Sequence, residues 1–114
     1  MNIEILLQTS RAWNGDPYTG YPAGVPEFTV AKITVQPQTT IHWHQHQMPV
    51  FGYVLSGQIT VEEKETGRTQ LLSTGEILAE TVNVTHRGFT GSEEAQLIVF
   101  YAGAQGMPLS TRAR

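Results

Sequence analysis

Three of the chain's four histidines, His42, His44 and His46, occupy alternate positions in the stretch IHWHQHQ. In an extended strand residues i, i+2 and i+4 share one face, so all three imidazoles would point the same way. Neutral imidazoles offer nitrogen lone pairs to one divalent transition ion, with Zn, Fe, Ni, Cu and Mn all within reach of such donors. The plainer reading makes them half-exposed side chains near a barrel mouth. His86 lies forty residues beyond His46 and matters only if the fold carries it back. Glu80 is the carboxylate to follow. Inside a barrel it is a candidate catalytic base or ligand, and on an outer face it is a surface charge. Gln47 is a lesser candidate.

Other chemistries find no support. The chain has no cysteine, which removes disulfides, thiol nucleophiles and thiolate-bound metals. It has no G-x-S-x-G elbow, no phosphate loop opening a helix and no H-E-x-x-H helix. A net charge of −3, with Arg112 and Arg114 the only basic pair, argues against a nucleic-acid partner. No apolar run approaches the roughly 20 residues that span a bilayer. The opening stretch reads as no signal peptide, so the expected compartment is the cytoplasm. Charged residues make up only 15% of the chain, and a surface so poor in charge is expected to be covered in part by a second copy, giving a homodimer.

The elements that must position these residues are strands. With 114 residues the chain is read as one domain, with a core over about 26–102, an N-terminal strand and loop over 1–25 and a loose tail over 103–114. Expected strands cover 3–7, 27–35, 39–46, 50–55, 58–63, 69–72, 77–81, 85–89 and 96–101. The segment 27–35 alternates best, with Phe28, Val30, Lys32 and Thr34 on one face and Thr29, Ala31, Ile33 and Val35 on the other. Turn residues punctuate the chain between strands, and no helical period persists. The pattern is all-β, a sandwich or barrel. Trp13, Tyr18 and Tyr21 load the loop after the first segment, as a cap on the core or as the wall of a pocket. Trp43 and Gln45 should face away from the histidines. Met48, Val50, Tyr53, Phe89 and Phe100 are expected in the core or along an apolar pocket. Glu62, Glu63, Lys64 and Glu65 read as a solvated hairpin.

Two motifs give the chain a resemblance to the small single-domain cupins. The first cupin motif is H-x-H, three or four residues, Glu, six residues, Gly. Here His44-Gln45-His46 is followed by three residues, then Val50, then six residues to Gly57, with the ending Tyr53-Val54-Leu55-Ser56-Gly57. The second motif opens on a glycine that Gly75 matches, eleven residues before His86. Thr81 stands where the motif has Pro, Asn83 where it has Gly and Thr90 where it has Asn. Asn suits a left-handed position better than other non-Gly residues. The resemblance implies a jelly-roll barrel (a double-stranded β-helix) with a divalent metal inside. Carried over by position, it implies His44, His46 and His86 as ligands, with Val50 where the family's ligating Glu stands. His42 shares the parity of His44 and His46 and is a lower-ranked fourth nitrogen.

The expected function is therefore that of a metal-dependent cupin acting on a small organic molecule, by Lewis-acid or oxygenase chemistry. The alternative is a non-catalytic cupin that binds or senses such a molecule. A third reading, a structural protein joined through barrel edges, requires the interior to be filled by side chains.

Overall fold

A computed structural model describes residues 1–113. Among the described residues nine strands, all antiparallel, form two sheets. They are β1 (Pro26–Val35), β2 (His44–Gln45), β3 (Val50–Ser56), β4 (Gln58–Glu63), β5 (Thr69–Ser73), β6 (Ile77–Ala79), β7 (His86–Phe89), β8 (Ala95–Ala104) and β9 (Thr111–Arg112). One sheet has the order β1-β8-β3-β6 and the other β5-β4-β7-β2-β9. Their facing sides enclose the core, as a jelly roll does. Among the described residues no helix is long and apolar enough to cross a membrane.

Alternation places the core as the period-2 rule requires. Along β1, Ala31 and Ile33 pack against the core and Val35 is buried, whereas Phe28, Val30, Lys32 and Thr34 are exposed. On β3 the buried residues are Val50, Gly52 and Val54. Ile59, Val61 and Leu72 close the same core from the second sheet. The strands β1 and β8 pair over ten residues and form the long spine of the first sheet.

Three expectations fail for identifiable reasons. Residues 3–7 form no strand; no neighbouring segment pairs with them, and Ile3 and Ile5 stay 72% and 69% exposed. The expected strand 39–46 shrinks to β2. Thr40 bridges Phe89 and the Ile41 N–H bonds to the Gly88 carbonyl, but the ladder breaks at 42–43. The tail is not loose. β9 pairs with β2, and the Ala113 N–H bonds to the Trp43 carbonyl. Arg114, half of the basic pair noted in the sequence, lies outside the described residues.

The hairpin at 62–65 also departs from a uniformly solvated turn. Glu63 is buried, accepting hydrogen bonds from Asn14 Nδ2 at 3.1 Å and Thr66 Oγ1 at 2.8 Å. The N-terminal loop is thereby tied to the second sheet. Trp43 faces away from the histidines, as expected. The Arg87 guanidinium lies 4.1 Å from its ring centroid while bonding Glu62 at 2.8 Å.

Candidate metal centre

Strand pairing brings the distant histidine home. In the β2–β7 ladder His44 stands directly opposite His86. Their ring centroids are 4.4 Å apart, and those of His46 and His86 are 5.1 Å apart. His44 and His46 share a face because they are two residues apart on extended backbone. His86 and His46 are buried.

Glu80 completes the group. It follows β6, and its N–H donates to the Val50 carbonyl at 2.9 Å. It therefore sits beside Val50 on the neighbouring strand, one step across the sheet from the position where the motif has its carboxylate. The side chain turns inward, with Oε2 3.2 Å from His46 Nε2 and 3.3 Å from His86 Nε2. Donor atoms of His44, His46, Glu80 and His86 all lie within 4.8 Å of one another. Metal–donor bonds of ~2.0–2.2 Å put opposite donors about 4.4 Å apart, so small side-chain movements close this envelope around an ion. His42 stands outside the group. Its ring is exposed at the cavity mouth, 6.0 Å from that of His44.

Hydrogen bonds fix which nitrogen each histidine presents. A carbonyl only accepts, so a ring nitrogen bonded to one must carry the proton. Nδ1 of His44 donates to the His42 carbonyl at 2.8 Å, Nδ1 of His46 to Leu109 at 2.8 Å and Nδ1 of His86 to Val84 at 2.9 Å. In each neutral imidazole the Nε2 lone pair is then left facing the group. This is the arrangement that orients a metal-binding histidine. Four buried side-chain atoms among the described residues lack the hydrogen bonds that burial ordinarily demands, and two of them, Glu80 Oε1 and His86 Nε2, belong to this group; the others are Trp13 Nε1 and Thr81 Oγ1. Three nitrogens and one carboxylate suit a borderline divalent ion, and the residues fit such a group.

The electrostatics agree. Burial alone would raise the Glu80 carboxyl, but contact with His46 and His86 outweighs it and holds the group well below the usual carboxylate range. Burial would lower His86, and the Glu80 carboxylate reverses that to a net rise. His44 is lowered, chiefly by burial, with its neighbouring imidazoles adding to the effect.

The loop aromatics support the centre from outside. Tyr18 donates its hydroxyl to the Glu80 carbonyl at 2.7 Å and packs edge-on against Phe51. Burial, then the charge of Glu80, pushes the Tyr18 phenol up to about 12. Trp13 packs on the core and bonds through its N–H backbone group to Ala79. Neither these two nor Tyr21 borders the histidine cavity; Trp13 packs against the core, as the capping reading has it, whereas Tyr18 and Tyr21 line a separate pocket with Phe28, Phe51 and Phe100. Asn83 has the left-handed φ of 59° expected at a glycine position, and its N–H holds the His46 carbonyl at 2.7 Å.

Leu109 was not foreseen as a functional residue. Its contribution is a backbone carbonyl, which leaves no side-chain signature. Deleting residues 108–114 is expected to leave the barrel folded, free the His46 ring and weaken zinc binding about 10–100-fold, the usual cost of losing a ligand's orienting partner. Competition titration with a chromogenic chelator measures this, and unchanged affinity would show the Leu109 contact to be idle.

The "Cupin domain" family model matches residues 31–101. No curated protein matches the chain by sequence. Among solved structures, a cupin-like protein from Thermotoga maritima is similar with a TM-score of 0.64 and 17% identity, covering 75% of this chain and 64% of its own. The DMSP lyase DddQ from Ruegeria pomeroyi gives 0.64 and 15%, covering 71% and 41%. The polyketide cyclase RemF from Streptomyces resistomycificus gives 0.65 and 22%, covering 76% and 61%. The chain thus spans less than two thirds of each of these structures, and at these identities the likeness is one of fold. The motif spacing, the two-sheet barrel and the match over 31–101 together place this chain in the cupin domain family.

Proposed function

We propose that this cupin holds one divalent transition metal on His44, His46, His86 and Glu80, and uses it to act on a small organic molecule in the barrel. The observation that carries the reading is the convergence of three Nε2 lone pairs, each set by a bond at Nδ1, around a carboxylate with an orphaned oxygen. Glu80 takes the role of the carboxylate that Val50 cannot supply. A bound ion would supply Lewis acidity at a substrate oxygen, or oxygen activation in the case of iron. The protein's part is to hold the imidazoles in one tautomer, offset one positive charge with Glu80 and keep bulk water out with aliphatic walls.

The test is elemental analysis of untagged protein and of the His44→Ala/His46→Ala double variant after zinc, iron or nickel loading. About one ion per wild-type chain and a near-empty double variant are expected. Full occupancy in the double variant overturns the reading.

Two copies are also proposed to pair. Phe28 and Val30 are 65% and 64% exposed on the outer face of β1, and Ile3, Ile5 and Leu6 add further exposed apolar surface. So much uncovered hydrocarbon favours association. Sedimentation at micromolar concentration should give twice the 12.6 kDa chain mass, and a monomer would refute the pairing.

A further inference from the structure

The cavity above the candidate centre has a volume of about 460 Å³, enough for a small molecule and too little for a polymer segment. Its walls come from both sheets and are overwhelmingly branched aliphatic: Ile33, Ile41, Ile59, Val61, Leu97 and Val99 set their character. Apart from the half-buried Thr39, whose hydroxyl donates to the Pro37 carbonyl at 3.1 Å, polar groups are confined to two places. At the centre stand His44, His46 and Glu80, with Tyr101 beside them. Thr34, Gln36, His42 and Ser110 are exposed side chains at the mouth. No Lys or Arg lines the cavity among the described residues.

We infer that the cavity takes a molecule with a compact hydrocarbon body and a single oxygen-bearing end, a ketone, enol or phenol, and selects against sugars and polyanions. The placement of the oxygen end rests on the metal reading above, while the choice of hydrocarbon body rests on the walls alone. Each buried hydroxyl of a sugar would need a hydrogen-bond partner, and these walls have none to give. An unpaired one costs roughly ten-fold or more in affinity. The charge balance sets a second limit. A divalent ion facing the Glu80 carboxylate keeps one net positive charge, enough for one anionic oxygen. A second anionic group would lie against hydrocarbon with no cation to receive it.

The experiment compares 4-isopropylphenol with 4-hydroxybenzoate by isothermal titration. Both carry the same phenol, and they differ in whether the far end is apolar or charged. Zinc-loaded wild-type protein is expected to bind 4-isopropylphenol at least about ten-fold tighter. Metal-free protein should keep the same order of preference at lower affinity. Should zinc fail to load, that metal-free preference still decides the inference, and the failure bears on the metal reading alone. The Ile41→Lys variant, at a half-buried wall position, should narrow or reverse the preference. If circular dichroism shows that variant unfolded, Ile33→Lys serves in its place. Equal affinities, a preference for 4-hydroxybenzoate, or binding of neither probe by wild-type protein would overturn the inference.

Discussion

Replacing Glu80 with alanine is expected to lower zinc affinity by at least about 100-fold, more than the 10–100-fold typical of an outer supporting contact. The carboxylate is the only anionic member of the group and touches two of its three imidazoles. Moving it back should recover part of the loss. Because Glu80 and Val50 are backbone neighbours across one hydrogen bond, the double variant Val50→Glu/Glu80→Val transfers the charge by a single strand spacing. Competition titration of wild-type protein and the single and double variants measures both effects. A double variant no better than Glu80→Ala would mean that Glu80 is fitted to its own position in a way the neighbouring strand cannot copy.

The same residue sets the pH profile of the metal-free protein. The Glu80 pKa is depressed on folding, so its stabilising effect is present above the ordinary value of 4.5 and fades as pH falls below it. The His86 pKa is raised, so its contribution is full below the ordinary value of 6.5 and is lost as pH climbs through the raised value. Metal-free protein should resist urea best between these two values. Glu80→Gln should flatten the profile. Loading with metal should move the optimum upward, since ligand imidazoles must shed their protons. Urea melts across the pH range read all three.

Gly57→Ala is the second large effect, and it concerns stability rather than chemistry. Gly57 sits at φ +75°, and a Cβ there would stand 2.2 Å from the Glu94 carbonyl oxygen and 3.1 Å from the Ala95 Cα. Both are backbone atoms, so no side chain can swing aside. Strained backbone added to this overlap gives an expected loss of about 2–4 kcal/mol, a fall of roughly 10 °C in Tm. Gly67→Ala is the control. Its φ is +73°, but nothing lies within 4 Å of the new methyl group. Only the left-handed backbone term, ~1–2 kcal/mol, then applies. Thermal melts that rank the two variants equally would show that the close approach to Glu94 carries no weight. The glycine that ends the YVLSG signature thus serves chain packing and has no part in the chemistry.

This contrast shows what the sequence made legible. Alternation and turn residues located the strands from β3 to β5 within a residue, because a half-buried strand records its two faces in its composition. The spacing from Gly75 to His86 marked the late histidine. Glu80 was visible as a carboxylate but not as an inward one. The strand before it, β6, has only three residues, and Leu78 and Ala79 are both buried, so alternation fixes no direction there. A usable signal was its isolation as the sole acidic residue between Glu76 and Glu93. Of the five residues expected in the core or along an apolar pocket, none borders the histidine cavity, and Phe100 lines a separate pocket. Met48 and Val50 fill the core, and the cavity is lined by the inward faces of other strands, including Ile33 and Val35 of β1. The alternation of β1 separated two faces correctly, but choosing which one looks inward requires the partner sheet.

The grip of Leu109 on His46, across 63 residues of chain, gives the molecule two separable lifetimes. Residues 108–110 are exposed and belong to no strand, which makes them open to a protease while the strands from β1 to β8 remain paired. A single cut there would release the histidine's anchor and leave the nine-tenths of the chain that forms the barrel standing. On the proposed function, preparations of full apparent stability would therefore differ in metal content, and intact mass would be a better guide to a competent centre than a melting curve.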